Sequence, residues 1–422
     1  MRPIARSQTS DSSTSWLLPL AFAGLGVLGW ACQDGGGADA SGDGATSDGD
    51  DEGMVDGEVT RGDVLASIAN NVLVPSTADF VGTAESLQAA VQAYADAADP
   101  EEPLAAAQQA WRDAMVHWQQ LELMQVGPAA PALNGIGGED LRDAIYSWPT
   151  ADTCSVDRAL VDEAYAQDDF FTTQLVWAYG LDALEYLLFV HDADHTCPTQ
   201  VQLDGPWAAL SIEEIEQRRA QYARVVAQGI AAQASALAAR WSPEGDDFAA
   251  ALAQPGQGAS PYASEAEALD EVFRAIFYVD KQTKDAKLGL PLGLVDGCPA
   301  VPCINLLESP WSAESTRAIE ANLRALKLMV QGGADPETAA GFDDLLEGIG
   351  QPQIANDLLG RIDAAIAVAE GFGDPLQQAV ASDPAAAEAL HGAVKEVTDI
   401  LKGPFVMALM LTIPAEGAGD AD

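Results

Sequence analysis

Asp182 and Glu185 lie three residues apart in Gly180–Phe189, GLDALEYLLF, a stretch that is otherwise apolar. On a helix, side chains at i and i+3 share a face, so the two carboxylates can converge on one ligand. Their surroundings predict that they point into protein, where a carboxylate must be paired, metal-bound or protonated. No Lys or Arg occurs between Arg158 and Arg218, so a partner must come from elsewhere in the fold. Glu122 is a candidate third acid, because it continues the apolar stripe Leu104, Ala107, Trp111, Met115, Trp118 at helical spacing. Three acids around one point repel unless a cation joins them, and an oxygen-only ligand set suits ferric iron, calcium, magnesium or manganese. The competing expectation, of equal weight, is that Lys281, Lys284 or Lys287 reaches in to form a buried ion pair.

The elements that must hold these residues are helical. Ala-, Leu- and Gln/Glu-rich segments dominate and alternating Val/Ile/Thr runs are few, which predicts an all-α fold. The patterning places helices over 64–73, 80–98, 103–126, 170–190, 212–241, 265–279, 315–330, 342–349, 354–370 and 386–410. After Val279, DKQTKDAKLGLPLG is expected to leave the helix for a Pro/Gly segment. The domain boundaries predicted are 59–204 for a first helical bundle, 205–415 for a second and 416–422 for a tail.

Ahead of the bundles stands MRPIARSQTS and a short apolar run ending at Cys32, the layout of an export signal over residues 1–31. Cys32, preceded by Leu28, Gly29, Trp30 and Ala31, suits acylation to a lipid anchor, with plain secretion as the other reading. Residues 33–58 carry nine acids and no base and are expected to form a solvated tether. The formal charge of −45 is only partly the tether's: with +1 on residues 1–31 and −9 on 33–58, the remainder still carries −37. Nucleic acid is thereby excluded as a partner, since phosphate binding needs a basic face and the chain has only 20 Lys and Arg. Cys154, Cys197, Cys298 and Cys303 are an even set in an exported chain, and the preferred pairing is Cys298–Cys303 with Cys154–Cys197.

Other chemistry is sparse. HExxH is absent, and so are a phosphate-binding Gly-rich loop with its Lys-Ser/Thr ending and a G-x-S-x-G nucleophile turn. His191 and His195 sit in a loop-like context, where a surface role is expected, and His117 is about 100° from Trp118 around an ideal helix.

Several stretches in order resemble the imelysin (M75 peptidase) family: WRDAMVHWQQLELMQVGP from Trp111, the Tyr146-Ser147-Trp148-Pro149 element, GLDALEYLL, KDAKLGLPLG, ESPWSAESTRAIEANLRAL from Glu308, and VTDILKGPFVMALMLTI. The resemblance covers nearly all of 60–420. It implies two helical-bundle halves with a pocket between them, its candidate lining being Trp118, Ser147, Trp148 and Lys287. It also implies an exported, often lipid-anchored protein of the bacterial periplasm or outer membrane, linked to iron handling and to a metallopeptidase activity. Gly180 and Glu185 match the family's Gly-x-His-x-x-Glu motif, whereas Asp182 occupies the place of its His. An imidazole offers a neutral nitrogen and Asp182 a negative oxygen, so hard cations stay possible while the peptidase reading weakens. The function expected is therefore binding of a metal ion, iron first, with an iron-uptake component as partner. A metallopeptidase or a scaffold with a decayed site are the alternatives.

Overall fold

Thr60 and Asp63 cap each other: the Thr60 amide donates to Asp63 Oδ2 at 2.9 Å and the Asp63 amide to Thr60 Oγ1 at 3.2 Å. That reciprocal cap starts α1, Arg61–Asp96, in a computed structural model that describes residues 59–414 apart from positions 134, 151 and 374. The signal, Cys32, the tether and the tail at 416–422 lie outside the described residues.

α1 is continuous where two helices were expected. Widened π-helical turns at Ile68–Leu73 bring Pro75 into the first turn of the regular stretch Val74–Asp96. There its missing N–H leaves no bond unmade. α1 is apolar enough to cross a membrane by composition, yet Val64, Leu65, Phe80, Ala84, Leu87 and Val91 are buried in protein.

The remaining main helices are α2 (Glu101–Leu123), α3 (Leu141–Ile145), α4 (Thr153–Val161), α5 (Leu181–Phe189), α6 (Ile212–Trp241), α7 (Glu265–Ile276), α8 (Ser315–Gln331), α9 (Pro352–Glu370) and α10 (Pro384–Ile400). Every regular element among the described residues is helical, as the composition predicts. α2 and α6 pack along α1, and α5 lies against both α2 and α6. α8 covers another side of α2 and meets α9, while α10 packs on α9 and on the π-helical segment Val279–Gly289. The expected boundary near residue 204 falls inside one compact unit, and α2, before it, packs directly on α8, after it.

Two expectations around the acids need correction. The helix predicted over 170–190 is broken: Phe170–Thr173 and Val176–Ala178 are single turns, and α5 begins only at Leu181. Gly180 causes the break, with φ +96°, and a Cβ there would stand 2.8 Å from the Ile145 carbonyl oxygen and 3.0 Å from Asp182 Oδ1. Phe171 and Leu175, in the apolar run ahead of α5, are exposed. The second correction concerns 280–289, which does not leave helical geometry but continues as the π-helical segment, bringing Lys284 and Lys287 inward. Pro291 then sits in the first turn of Leu290–Leu292, where it is tolerated.

α5 is fixed at both ends. The Trp111 indole on α2 donates to the Leu181 carbonyl at 2.8 Å, and Gln108 Nε2 donates to the Leu188 carbonyl at 2.8 Å. Both expected disulfides form, Cys154–Cys197 with 43 residues of separation and Cys298–Cys303 with 5. The longer clasp encloses the whole of α5. Loop-closure entropy makes it worth about 4 kcal/mol against about 2 kcal/mol for the short one. Replacing Cys154 and Cys197 by Ser should therefore lower the denaturation midpoint about twice as far as replacing Cys298 and Cys303, checked by urea titration of the two double variants.

Candidate functional site

At the centre of the molecule the Lys287 ammonium lies 3.2 Å from Glu122 Oε2 and 3.1 Å from Glu308 Oε2. It also donates to Asn322 Oδ1 at 2.9 Å and to Gln119 Oε1. All five side chains are essentially excluded from solvent. Three elements deliver them: α2 carries Gln119 and Glu122, the π-helical segment Lys287, and α8 Asn322, with Glu308 on the loop before α8. Glu308 Oε1 additionally accepts from the Tyr146 hydroxyl at 2.6 Å and from Gln119 Nε2 at 2.8 Å. Asn322 Nδ2 closes the ring onto the Gln119 carbonyl at 2.6 Å.

Arg142, on α3, carries this network outward. Its Nη2 donates to Glu122 Oε1 at 2.6 Å and to the Trp148 carbonyl at 2.8 Å. The charge balance sets the direction in which each acid's pKa moves. Burial alone would raise the Glu122 carboxyl, but Lys287 and then Arg142 outweigh it and hold its pKa below the ordinary value. Glu308 goes the other way: burial, with Glu122 adding to it, raises its pKa against the pull of Lys287.

Asp182 and Glu185 stand apart from this ion-pair ring. Asp182 Oδ2 accepts the Ser147 hydroxyl at 2.7 Å, and Glu185 Oε1 accepts the Ser312 hydroxyl at 2.7 Å, the Ser312 amide at 2.8 Å and the Trp311 amide at 3.2 Å. Glu185 Oε2 has no hydrogen-bond partner among the described residues, and neither acid makes an ion pair there. Burial pushes the Asp182 carboxyl up to about 6 and the Glu185 carboxyl up to about 8, with the serine hydrogen bonds opposing it in both. Both line one cavity of about 170 Å³, walled by Tyr146, Trp148, Pro149, Leu306, Pro310 and Trp311.

The sequence-predicted residues thus divide. Asp182, Glu185 and Trp148 share the cavity, and Ser147 orients Asp182 from behind. Glu122 does not line it: the buried ion pair with Lys287 is realised for Glu122 and not for the pair on α5. Lys287 lies 5.8 Å from the centre of the Trp148 ring, behind the wall. Trp118 is a core residue, packed 5.3 Å from Phe80 and 6.2 Å from Tyr146 between ring centres. His191 and His195 bond Glu216 and Asp204, each at 3.0 Å, away from the cavity. Among the described residues no three His, Cys, Asp or Glu side chains are grouped so as to hold a metal ion.

Sequence reasoning assigned no role to Gln119, Arg142, Glu308, Trp311, Ser312 or Asn322. Gln119 and Asn322 were detectable, since each is a polar residue at an apolar position of an amphipathic helix: Met115 lies four before Gln119, and Ala318 and Leu326 flank Asn322. The partners of Ser312 and Arg142 carry no such local mark.

The family model for imelysin, peptidase M75, matches residues 73–402, and the chain belongs to that family. A solved structure from Parabacteroides distasonis ATCC 8503, named as a "putative iron-regulated protein A precursor", superposes with a TM-score of 0.65 at 18% identity, over 84% of this chain and 97% of that one. An imelysin-like protein from Psychrobacter arcticum 273-4 superposes at 0.60 and 15% identity, over 84% and 96%. At such identities the likeness is one of fold. No curated protein matches the chain.

Two outcomes follow from the electrostatics. Replacing Lys287 by Met strands Glu122 and Glu308 and should cost about 3–5 kcal/mol of stability, with partial recovery when Glu122→Gln is added, as read by chemical denaturation. The pH response of Glu185 has the opposite sign from an ion-paired acid. Its folded pKa of about 8 lies above the unfolded value, so folding takes up a proton; the contribution is whole below about pH 4 and is lost as pH rises toward 8. Glu185→Gln should leave the melting temperature near pH 4 almost unchanged and raise it at pH 8, measured in the absence of added metal.

Proposed function

We propose that this imelysin-family chain is an exported binding protein whose cavity captures a cation between Asp182 and Glu185, with iron the first ion to consider. One observation carries the reading. Two carboxylates on one face of α5 line a largely apolar cavity, and among the described residues neither has a basic partner and one oxygen of Glu185 has no donor. A buried acid in that state is disfavoured as an anion, and a cation is the group that relieves it. The contrast within the molecule sharpens the point, because Glu122 and Glu308, a few side chains away, are supplied with Lys287.

The choice of iron rests on the name of the Parabacteroides distasonis relative and on the oxygen donors, which suit a hard cation. That relative is named a precursor, which agrees with the export signal read at residues 1–31. Cys32 acylation would hold the domain on a bacterial membrane by its acidic tether, at the periplasmic or outer-membrane location where an iron-uptake component would receive the cargo. The negative charge of the chain adds a long-range attraction for cations. A peptidase reading lacks its imidazole: Asp182 stands at the motif's His position, and among the described residues no histidine lines the cavity.

The test is a melt of the full chain with ferrous, ferric, calcium and zinc ions, as wild type and as Asp182→Asn/Glu185→Gln. At one hundred times the dissociation constant a bound ion stabilises by about 2.7 kcal/mol, so iron should raise the wild-type melting temperature by several degrees and leave the double variant where it was. If no ion shifts the wild type, the acids are structural and the scaffold reading replaces this one.

A further inference from the structure

Resting on the cation reading above, we propose that the metal enters this cavity as a chelate, with most of its inner donors supplied by a small organic oxygen-donor molecule. The first ground is a shortage of protein ligands. Hard cations take six or more oxygen donors, yet no third acid, His or Cys joins Asp182 and Glu185 in a metal-holding group among the described residues. Much of what the two acids offer is already engaged, since Asp182 Oδ2 and Glu185 Oε1 accept serine hydroxyls, and among the described residues no hydrogen bond reaches Glu185 Oε2. Glu185 as a residue is 2% exposed and lines the cavity.

The second ground is size and wall chemistry. A cavity of about 170 Å³ is several times the room of a single ion, given that one water occupies about 30 Å³ in the liquid. Its walls are mostly apolar, with Trp148, Pro149, Leu306, Leu307, Pro310 and Trp311 outnumbering the polar Tyr146, Asn305 and Ser309. A fully hydrated ion would turn many of its waters toward apolar surfaces that cannot accept their hydrogen bonds, at a cost per unmade bond. An organic shell turns C–H edges and flat faces to the same walls and buries apolar area on them. Trp311 is placed to select for that shell: its ring packs 5.2 Å from Tyr186, its backbone amide donates to Glu185, and at 38% exposure it reaches the surface beside the cavity. The metal thus meets the acids while the chelator meets the aromatic wall.

Ferric nitrilotriacetate, which leaves coordination positions open to a protein carboxylate, is the probe. Calorimetric titration of the full chain would compare it with ferrous ion in anaerobic buffer and with nitrilotriacetate alone, for wild type, Trp311→Ala and Trp311→Phe. The wild type should bind the chelate about tenfold tighter than the aqueous ion, the worth of one well-packed aromatic contact. Trp311→Ala should erase that preference and leave aqueous-ion affinity within about twofold, with Trp311→Phe intermediate; a retained melting temperature certifies that each variant is folded. Equal or tighter binding of the aqueous ion, or equal loss of both ligands on removing Trp311, overturns the chelate inference and leaves the cation reading standing. Binding of nitrilotriacetate alone as tightly as its complex also overturns it. If neither chelate nor ion binds, both readings fall together.

Discussion

The structure turns on one buried ammonium. Lys287 stands between Glu122 and Glu308 with Gln119 and Asn322 completing its shell, and these residues come from α2, α8, the π-helical segment and the loop before α8. Such a charge in a dry interior is tolerable only where its partners are fixed, so the segments that supply them are constrained relative to one another. The lysine keeps Glu122 ionised against a large burial penalty. Arg142 then carries that order from Glu122 to the Trp148 carbonyl, which is how a core ion pair comes to set the wall of a cavity.

The cavity itself obeys the reverse logic. Asp182 and Glu185 are buried as Glu122 is, but they receive hydroxyl and amide donors in place of a base. Hydrogen bonds from neutral donors offset only part of the loss of water, and both acids consequently hold their protons to higher pH. Two kinds of buried acid therefore differ by what surrounds them: Glu122 is paired with bases, whereas Asp182 and Glu185 receive only neutral donors among the described residues.

The sequence made the helical class, the four disulfide cysteines and the inward aim of Asp182, Glu185 and Glu122 legible, because each rests on local periodicity or count. It did not reveal which acid takes the lysine. The spacing of Lys281, Lys284 and Lys287 is compatible with any of them, and the π-helical turns that rotate Lys287 inward leave no simple pattern in the residues. The break before α5 was missed for a related reason: the apolar run from Phe170 to Phe189 reads as one helix, and only the backbone geometry at Gly180 divides it. Trp311 and Ser312 were beyond reach altogether, since they meet Glu185 across 126 and 127 positions of sequence.

Gly180 also sets a limit on how this site can diversify. A chemist wishing to retune the cavity could exchange Trp148, Leu306 or Trp311 and alter its shape while leaving the helix that bears the acids in register. At Gly180 there is no such freedom, because any added carbon meets the Ile145 carbonyl on one side and Asp182 on the other. A cavity of this design can thus drift in its shape far more easily than in the position of its first carboxylate, which makes the contour of the walls the evolvable property and the placement of the acid the inherited one.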